Sequence, residues 1–267
     1  MTLVEIDLHK SVEENASVYY EKAKKIKKKI EGAIHALQES ESKLKKLEKD
    51  HTKEQEELSK VTVARPKEWY EKFRWFITST GFFVIGGRDA TTNEIIVKKH
   101  TDADDLVFHT DLAGSPFFVI KRKLIVPPYP SPPPTIDDKT LREVADATVS
   151  YSRTWRLGLS NSPVFYVKPD QVSKEAKAGE YLVKGAFMIN GKTNYVDNKI
   201  NCAIGILSDG KIMGGPVEAV KAHCNKYVPV IQGRDKASKV AKFIQKKIGG
   251  TLDEIIAVLP SGGVAVK

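Results

Sequence analysis

Two cysteines in 267 residues, Cys202 and Cys224, are too few for a disulfide framework, and neither lies in a C-x-x-C pair. Structural zinc and thiol redox chemistry therefore have almost no support, and both residues read as buried thiols. No stretch approaches the roughly 18 uninterrupted apolar residues that a bilayer span requires. The start, Met1-Thr2-Leu3-Val4-Glu5, has no charged region followed by an apolar core. The chain is expected to be soluble and cytoplasmic, with no membrane partner. Nucleotide-loop signatures are also missing where glycine clusters. Gly86-Gly87-Arg88-Asp89 is neither G-x-G-x-x-G nor G-x-x-x-x-G-K-S/T and is expected to join strand to strand, and Pro260-Ser261-Gly262-Gly263 has the same defect. His109 and Asp111 alternate on one face of an expected strand, but no third ligand stands at a recognisable spacing. Ser and Cys nucleophiles lack a local context. No metal, no other cofactor and no catalysis are expected.

What is present is an ordinary globular composition, 41% hydrophobic and 29% charged, with its charge unevenly placed. Residues 1–64 hold 13 Lys and 13 Asp+Glu and sum to zero, while the remainder holds 30 Lys+Arg against 21 Asp+Glu, so the whole excess of +9 lies there. A globular body with that surplus suits a polyanionic partner, nucleic acid above all.

The neutral segment has a heptad seam. Val12, Ala16, Tyr19, Ala23, Ile26, Ile30, Ala33, Leu37, Ser40, Leu44 and Leu47 alternate steps of four and three, with Lys and Glu nearly everywhere else. This pattern predicts one long helix that packs against another helix. Ser11 with Glu14 forms a capping box at its start, and a helix from Ser11 to Lys60 would run about 75 Å. No second heptad helix of comparable length follows. The partner is expected from another chain, as a homodimer, or from residues absent here. The lysine run at positions 22 to 29 reads as the solvated face of that coiled coil, with phosphate contact as the alternative.

After Pro66 short strands and turns take over. Expected strands are Phe82–Ile85, Glu94–Val97, Leu106–Leu112, Phe117–Lys121, Val164–Val167, Gly185–Ile189, Ala203–Leu207, Tyr227–Ile231 and Ile255–Val258. Expected helices are one opened by a Thr140/Glu143 capping box and continuing to Trp155, and a basic one near Lys236–Ile248. Residues 127–134, Pro-Pro-Tyr-Pro-Ser-Pro-Pro-Pro, read as an extended polyproline connector. The fold class is α+β, a mainly antiparallel sheet with packed helices preceded by a long coiled-coil helix. The expected organisation is an arm over 1–64, a body over 65–198 and a C-terminal α/β extension over 199–267 packed on it.

Basic and aromatic residues interleave at residues 69–76, WYEKFRWF, and 151–156, YSRTWR, the combination that stacks on bases and neutralises phosphate. Here the residues carry a resemblance. KEWYEKFRWFITSTGFFVIGGRDATTNEIIVKKH from Lys67, DLVFHTDLAGSPFFVIK from Asp105, TLREVADATVSYSRTW from Thr140 and VKPDQVSKEAKAGEYLVKGAFMINGK from Val167 resemble the R domain of the NFACT family, in its archaeal form. The stretch from Ser11 to Leu37 is similar to the coiled-coil arm before that domain. The match thins after Asn198.

The resemblance implies a ribosome-quality-control factor that binds obstructed large subunits and tRNA, with the R domain as its RNA-binding part. No N-terminal family domain precedes Met1, so the resemblance is to the C-terminal half. The family's signature falls on Gly86, Gly87, Arg88, Asp89, Asn93, His109, Gly114, Lys168, Gln171, Ser173, Lys174, Gly179, Glu180 and Tyr181. Together with the surface arginines, the candidate contacts to RNA (tRNA and large-subunit rRNA) are Arg88, Asn93, His109, Arg153, Arg156, Lys168, Gln171, Lys174 and Tyr181. Gly86 and Gly87 are expected to supply unusual backbone angles. Arg88, Lys168 and Lys174 are expected at the surface, with an Arg88 clamp on a buried carboxylate as the alternative. Three rival readings remain: a coiled-coil interaction platform, a small hydrolase using His109 and Asp111, and general DNA binding.

Overall fold

The computed structural model describes residues 5–59, 66–123, 135–174 and 182–267 and divides into two units at residues 62 and 63. The first unit is helix α1, Val12–Ser59. Its start is as expected: Ser11 Oγ accepts from the Glu14 amide at 3.1 Å while the Glu14 carboxylate accepts from the Ser11 amide at 2.8 Å. The helix runs about 72 Å, and its seam faces water, with Ile26, Ile30 and Leu37 at 57%, 54% and 60% exposure.

The second unit is α+β and mainly antiparallel. Strands β1 (Arg74–Ile77), β2 (Phe83–Gly86), β3 (Leu106–Thr110), β4 (Phe118–Lys121), β5 (Val164–Val167) and β8 (Asn194–Val196) form one sheet in the order β1-β2-β4-β3-β5-β8. A short ribbon pairs β6 (Val172–Ser173) with β7 (Met188–Ile189). A second sheet has the order β10-β9-β11-β12, from β9 (Cys202–Ile206), β10 (Ile212–Gly215), β11 (Lys226–Asp235) and β12 (Val264–Val266). Helices α2 (Ala90–Lys99), α3 (Asp138–Ser150), α4 (Arg153–Leu157), α5 (Val217–His223), α6 (Ala237–Ile248) and α7 (Leu252–Val258) pack on them.

One hydrophobic core runs through both sheets, from Phe73 and Phe118 to Ile204 and Ile244. Polar groups lock the two sheets together. The buried Arg74 guanidinium lies 4.2 Å over the Tyr151 ring and donates to the Leu259 carbonyl at 3.2 Å. The Tyr151 hydroxyl donates to the Val258 carbonyl at 2.9 Å, and Trp155 Nε1 to the Gly263 carbonyl at 3.0 Å. Within the first sheet the ammonium of Lys121, 4% exposed, is held by Asp105, by Asp102 at 2.7 Å and by the His100 carbonyl at 2.9 Å. Both cysteines are buried, and burial pushes each thiol up to about 12, far from nucleophilic thiolate.

Several local expectations are corrected. Glu94–Val97 is helical, because Asp89 caps α2 by accepting from the Thr92 amide at 2.8 Å, and a helix here buries Ile96 completely. The local cap outweighs the β propensity of Ile95, Ile96 and Val97. Gly86–Asp89 therefore joins strand to helix. Ile255–Val258 lies in α7, opened by a Thr251/Glu254 capping box. Asp137, not Thr140, caps α3 by accepting from the Thr140 amide, and Glu143 turns inward to accept from the Ser79 amide at 2.8 Å. The helical run then breaks at Tyr151, and Ser152 caps α4 separately. Gly185–Ile189 shrinks to Met188–Ile189. The polyproline segment lies outside the described residues.

Candidate nucleic-acid interface

Strand β2 delivers Gly86-Gly87-Arg88-Asp89 to the start of α2, and that junction organises a cleft. Neither glycine has a positive φ, contrary to expectation; each is required by close approach. A Cβ on Gly87 would lie 1.8 Å from Asn93 Oδ1, and one on Gly86 2.3 Å from the Phe118 ring. Asn93, one turn into α2, accepts from the Phe117 amide at 3.1 Å while Gly87 N donates to the Phe117 carbonyl at 3.0 Å. These two bonds fix the 113–117 turn against α2.

Phe117, so fixed, stacks on His109 with centroids 4.2 Å apart and meets Phe187 edge-on at 5.3 Å. Lys174 sits 5.1 Å over the Phe187 ring and donates to the Val183 and Ala186 carbonyls at 3.1 and 3.0 Å, which holds the 183–187 loop in place. Helix α4 supplies Arg153 and Arg156, both exposed, with no hydrogen bond or ion pair among the described residues. These elements enclose a cleft of about 620 Å³. Its lining carries four cations, Arg88, Arg153, Arg156 and Lys184, against one carboxylate, Asp89.

The Asp89 carboxyl is held below its ordinary range by the Thr92 amide, so it stays ionised and occupies the α2 N-terminus itself. Burial lowers the His109 pKa and keeps its ring neutral, suited to stacking. The Asp111 carboxylate accepts from the Tyr195 hydroxyl at 3.3 Å. Among the described residues no three His, Cys, Asp or Glu side chains gather to hold a metal.

The cleft thus brings together five of the candidate contacts, Arg88, Asn93, His109, Arg153 and Arg156. Lys174 serves its frame from behind. Arg88 is a clamp, but on carbonyls rather than a carboxylate: its Nη2 donates to Glu71 and Phe73, both at 3.0 Å. Gln171 is likewise committed, accepting from the Lys168 amide at 2.9 Å and donating to the Asn190 and Lys192 carbonyls at 2.8 and 3.0 Å. Lys168 is exposed but not among the cleft's lining residues. Tyr181, with Gly179 and Glu180, lies outside the described residues. Sequence reasoning missed Ser115, Phe117, Lys184 and Phe187. The Gly114-Ser115-Pro116 turn beside the aromatic pair signalled the first two, whereas Lys184 and Phe187 reach the cleft only through folding.

A cation-rich cleft with an aromatic wall on an antiparallel α+β body is the equipment of a nucleic-acid-binding domain. Residues 72–191 match the family described as NFACT protein RNA binding domain. The chain is 40% identical over 214 residues to an archaeal Rqc2 homolog of Methanocaldococcus jannaschii, covering 78% of this chain and 30% of that protein. It is 38% identical to the ribosome quality control complex subunit NEMF homolog of Drosophila melanogaster (73% of this chain, 19% of the relative). Against the human subunit NEMF the identity is 38% (68% of this chain, 16% of the relative). The chain belongs to the NFACT family. It spans less than a third of the length of these relatives.

Proposed function

We propose that this chain is the RNA-contacting part of a ribosome quality-control factor, binding tRNA and large-subunit rRNA on stalled large subunits without catalysing a reaction. The observation that carries this reading is the coincidence of the RNA-binding family match with the cleft. The matched residues supply Arg88, Arg153, Arg156 and Lys184 to one surface, and the two α4 arginines have no hydrogen bond or ion pair among the described residues. Helix α1, with its apolar seam exposed, completes a coiled-coil arm by pairing with a second helix, here a second copy of the chain. The setting is cytoplasmic.

The test is binding of the chain to tRNA and to purified large subunits across a salt series. Affinity is expected to fall steeply with salt, because each neutralised phosphate releases counterion. A parallel DNA duplex of equal charge is expected to bind more weakly, and equal binding would favour a general nucleic-acid protein. Arg153→Glu with Arg156→Glu is expected to remove most RNA affinity with the melting temperature unchanged. Retention of full affinity would move the contact to the basic face of α6, which carries Lys236, Lys239 and Lys246 at its cap and along its length.

A further inference from the structure

The cleft holds more than charge. Ser115 is 5% exposed and lines the cleft, and among the described residues its hydroxyl has no hydrogen-bond partner. A buried hydroxyl left unpaired is costly and rare in a native fold, which points to a bond completed by something that enters the cleft. Beside it the His109 and Phe117 rings stack at 4.2 Å, an apolar, π-rich wall. The anionic part of an entering group is drawn to the cations of the lining. The N-terminus of α2 is occupied by the Asp89 carboxylate, whereas Arg153 and Arg156 on α4 have no hydrogen bond or ion pair among the described residues. A volume of about 620 Å³ lies within the roughly 300–1,000 Å³ range of sites that enclose one small molecule. An intact A-form duplex cannot offer a base face to such a site, because its bases are stacked and paired.

We propose that the cleft receives a single unstacked nucleotide of a bound RNA, with its base beside the His109–Phe117 stack, its base edge hydrogen-bonded to Ser115 Oγ and its phosphate on Arg153 and Arg156. This rests on the RNA-binding reading of the body and sharpens it: the preferred RNA has a bulged, looped or terminal nucleotide, not an uninterrupted helix.

The experiment uses the full chain and three RNA hairpins identical except at one position: fully paired, carrying one bulged nucleotide, and carrying an abasic site at that bulge. The bulged hairpin is expected to bind about tenfold more tightly than the paired one, the gain typical of one base on an aromatic platform, and the abasic hairpin to fall back to the paired level. Ser115→Ala removes a hydroxyl that has no partner to lose, so the melting temperature is expected to hold while the bulge preference shrinks several-fold. Ala113→Trp, at an exposed position on the cleft, should abolish the preference by filling the entrance. Equal, salt-sensitive binding of the bulged and paired hairpins would overturn the nucleotide pocket and leave backbone RNA binding standing. A preference that survives both substitutions would place the unstacked base elsewhere and overturn it too. No measurable binding to any of the three would bring down the RNA-binding reading, and this inference with it.

Discussion

In helix α1, Ile26, Ile30 and Leu37 stand more than half exposed, whereas in the body Ile96, Ile204 and Ile244 are wholly covered. Charge divides along the same line: residues 1–64 balance 13 Lys against 13 Asp+Glu, while everything after them carries +9. The comparison separates two ways of using apolar residues. The body has enough elements to close a core on itself and can leave cations on its surface unpaired. A single helix has one apolar stripe and no way to bury it alone, so its stability is set by whatever pairs with it.

The strongest way to break that contrast is to open the body's core. Phe118→Ala on β4, where the ring is fully buried, should cost about 3–5 kcal/mol and lower the melting temperature of the body sharply, while α1 is not involved. Calorimetry reads this directly, and a loss below 1 kcal/mol would mean that the core is looser than it is drawn. Next in size is Asp105→Ala. It strips the buried Lys121 of its most enclosed partner and should cost about 3 kcal/mol in urea unfolding. Replacing Lys121 with Met in the same chain should recover much of that loss.

Smaller in stability but larger in assembly is Ile26→Asp with Ile30→Asp and Leu37→Asp. Light scattering should give a monomer where the parent chain associates, with the body's unfolding transition unmoved. A body that melts earlier in this variant would tie the two units together. The smallest effect is in pH. Burial lowers the pKa of His109, so the unfolded chain binds the proton more readily than the folded one. The contribution of this residue is therefore complete above the unfolded value of about 6.5 and is lost as pH falls below it. Burial lowers His100 in the same direction. His109→Gln should flatten part of the loss of stability between neutral and mildly acid pH, and an unchanged pH profile would count against a buried neutral ring.

The legible parts were those where one local signal dominated. The heptad seam and the Ser11/Glu14 box placed α1 to within a residue, and the β-rich runs at 164–167 and 118–121 were read almost to the residue. Glu94–Val97 was misread because three consecutive β-branched apolar residues look like a strand, and only the Asp89/Thr92 cap, easily passed over in a glycine-rich turn, says otherwise. The same reason hid the Thr251/Glu254 start of α7. For the cleft, residue types were readable but their employment was not. Arg88, Lys174 and Gln171 are the polar groups that a sequence marks as contacts, yet each is spent on backbone carbonyls brought near by folding. Arg153 and Arg156 carry the same chemistry and have no hydrogen bond or ion pair among the described residues. Which cation finds a carbonyl is decided by how segments 9 to 17 residues away fold back on it, and a linear pattern holds no record of that.

The lock between Arg74 and Leu259 also sets a schedule. The two residues are 185 positions apart, and the carbonyl that Arg74 needs is near the far end of the chain. A strand made early must wait for a residue made 185 positions later before its buried cation is satisfied, so the body cannot close until Leu259 has emerged. During synthesis β1 is left as an unfinished edge whose first residue, Arg74, still lacks its carbonyl partner. A truncation a few residues short of Leu259 would therefore undo the first sheet as well as the second, and a clipped molecule would be recognisable to a protease by a segment it had not touched.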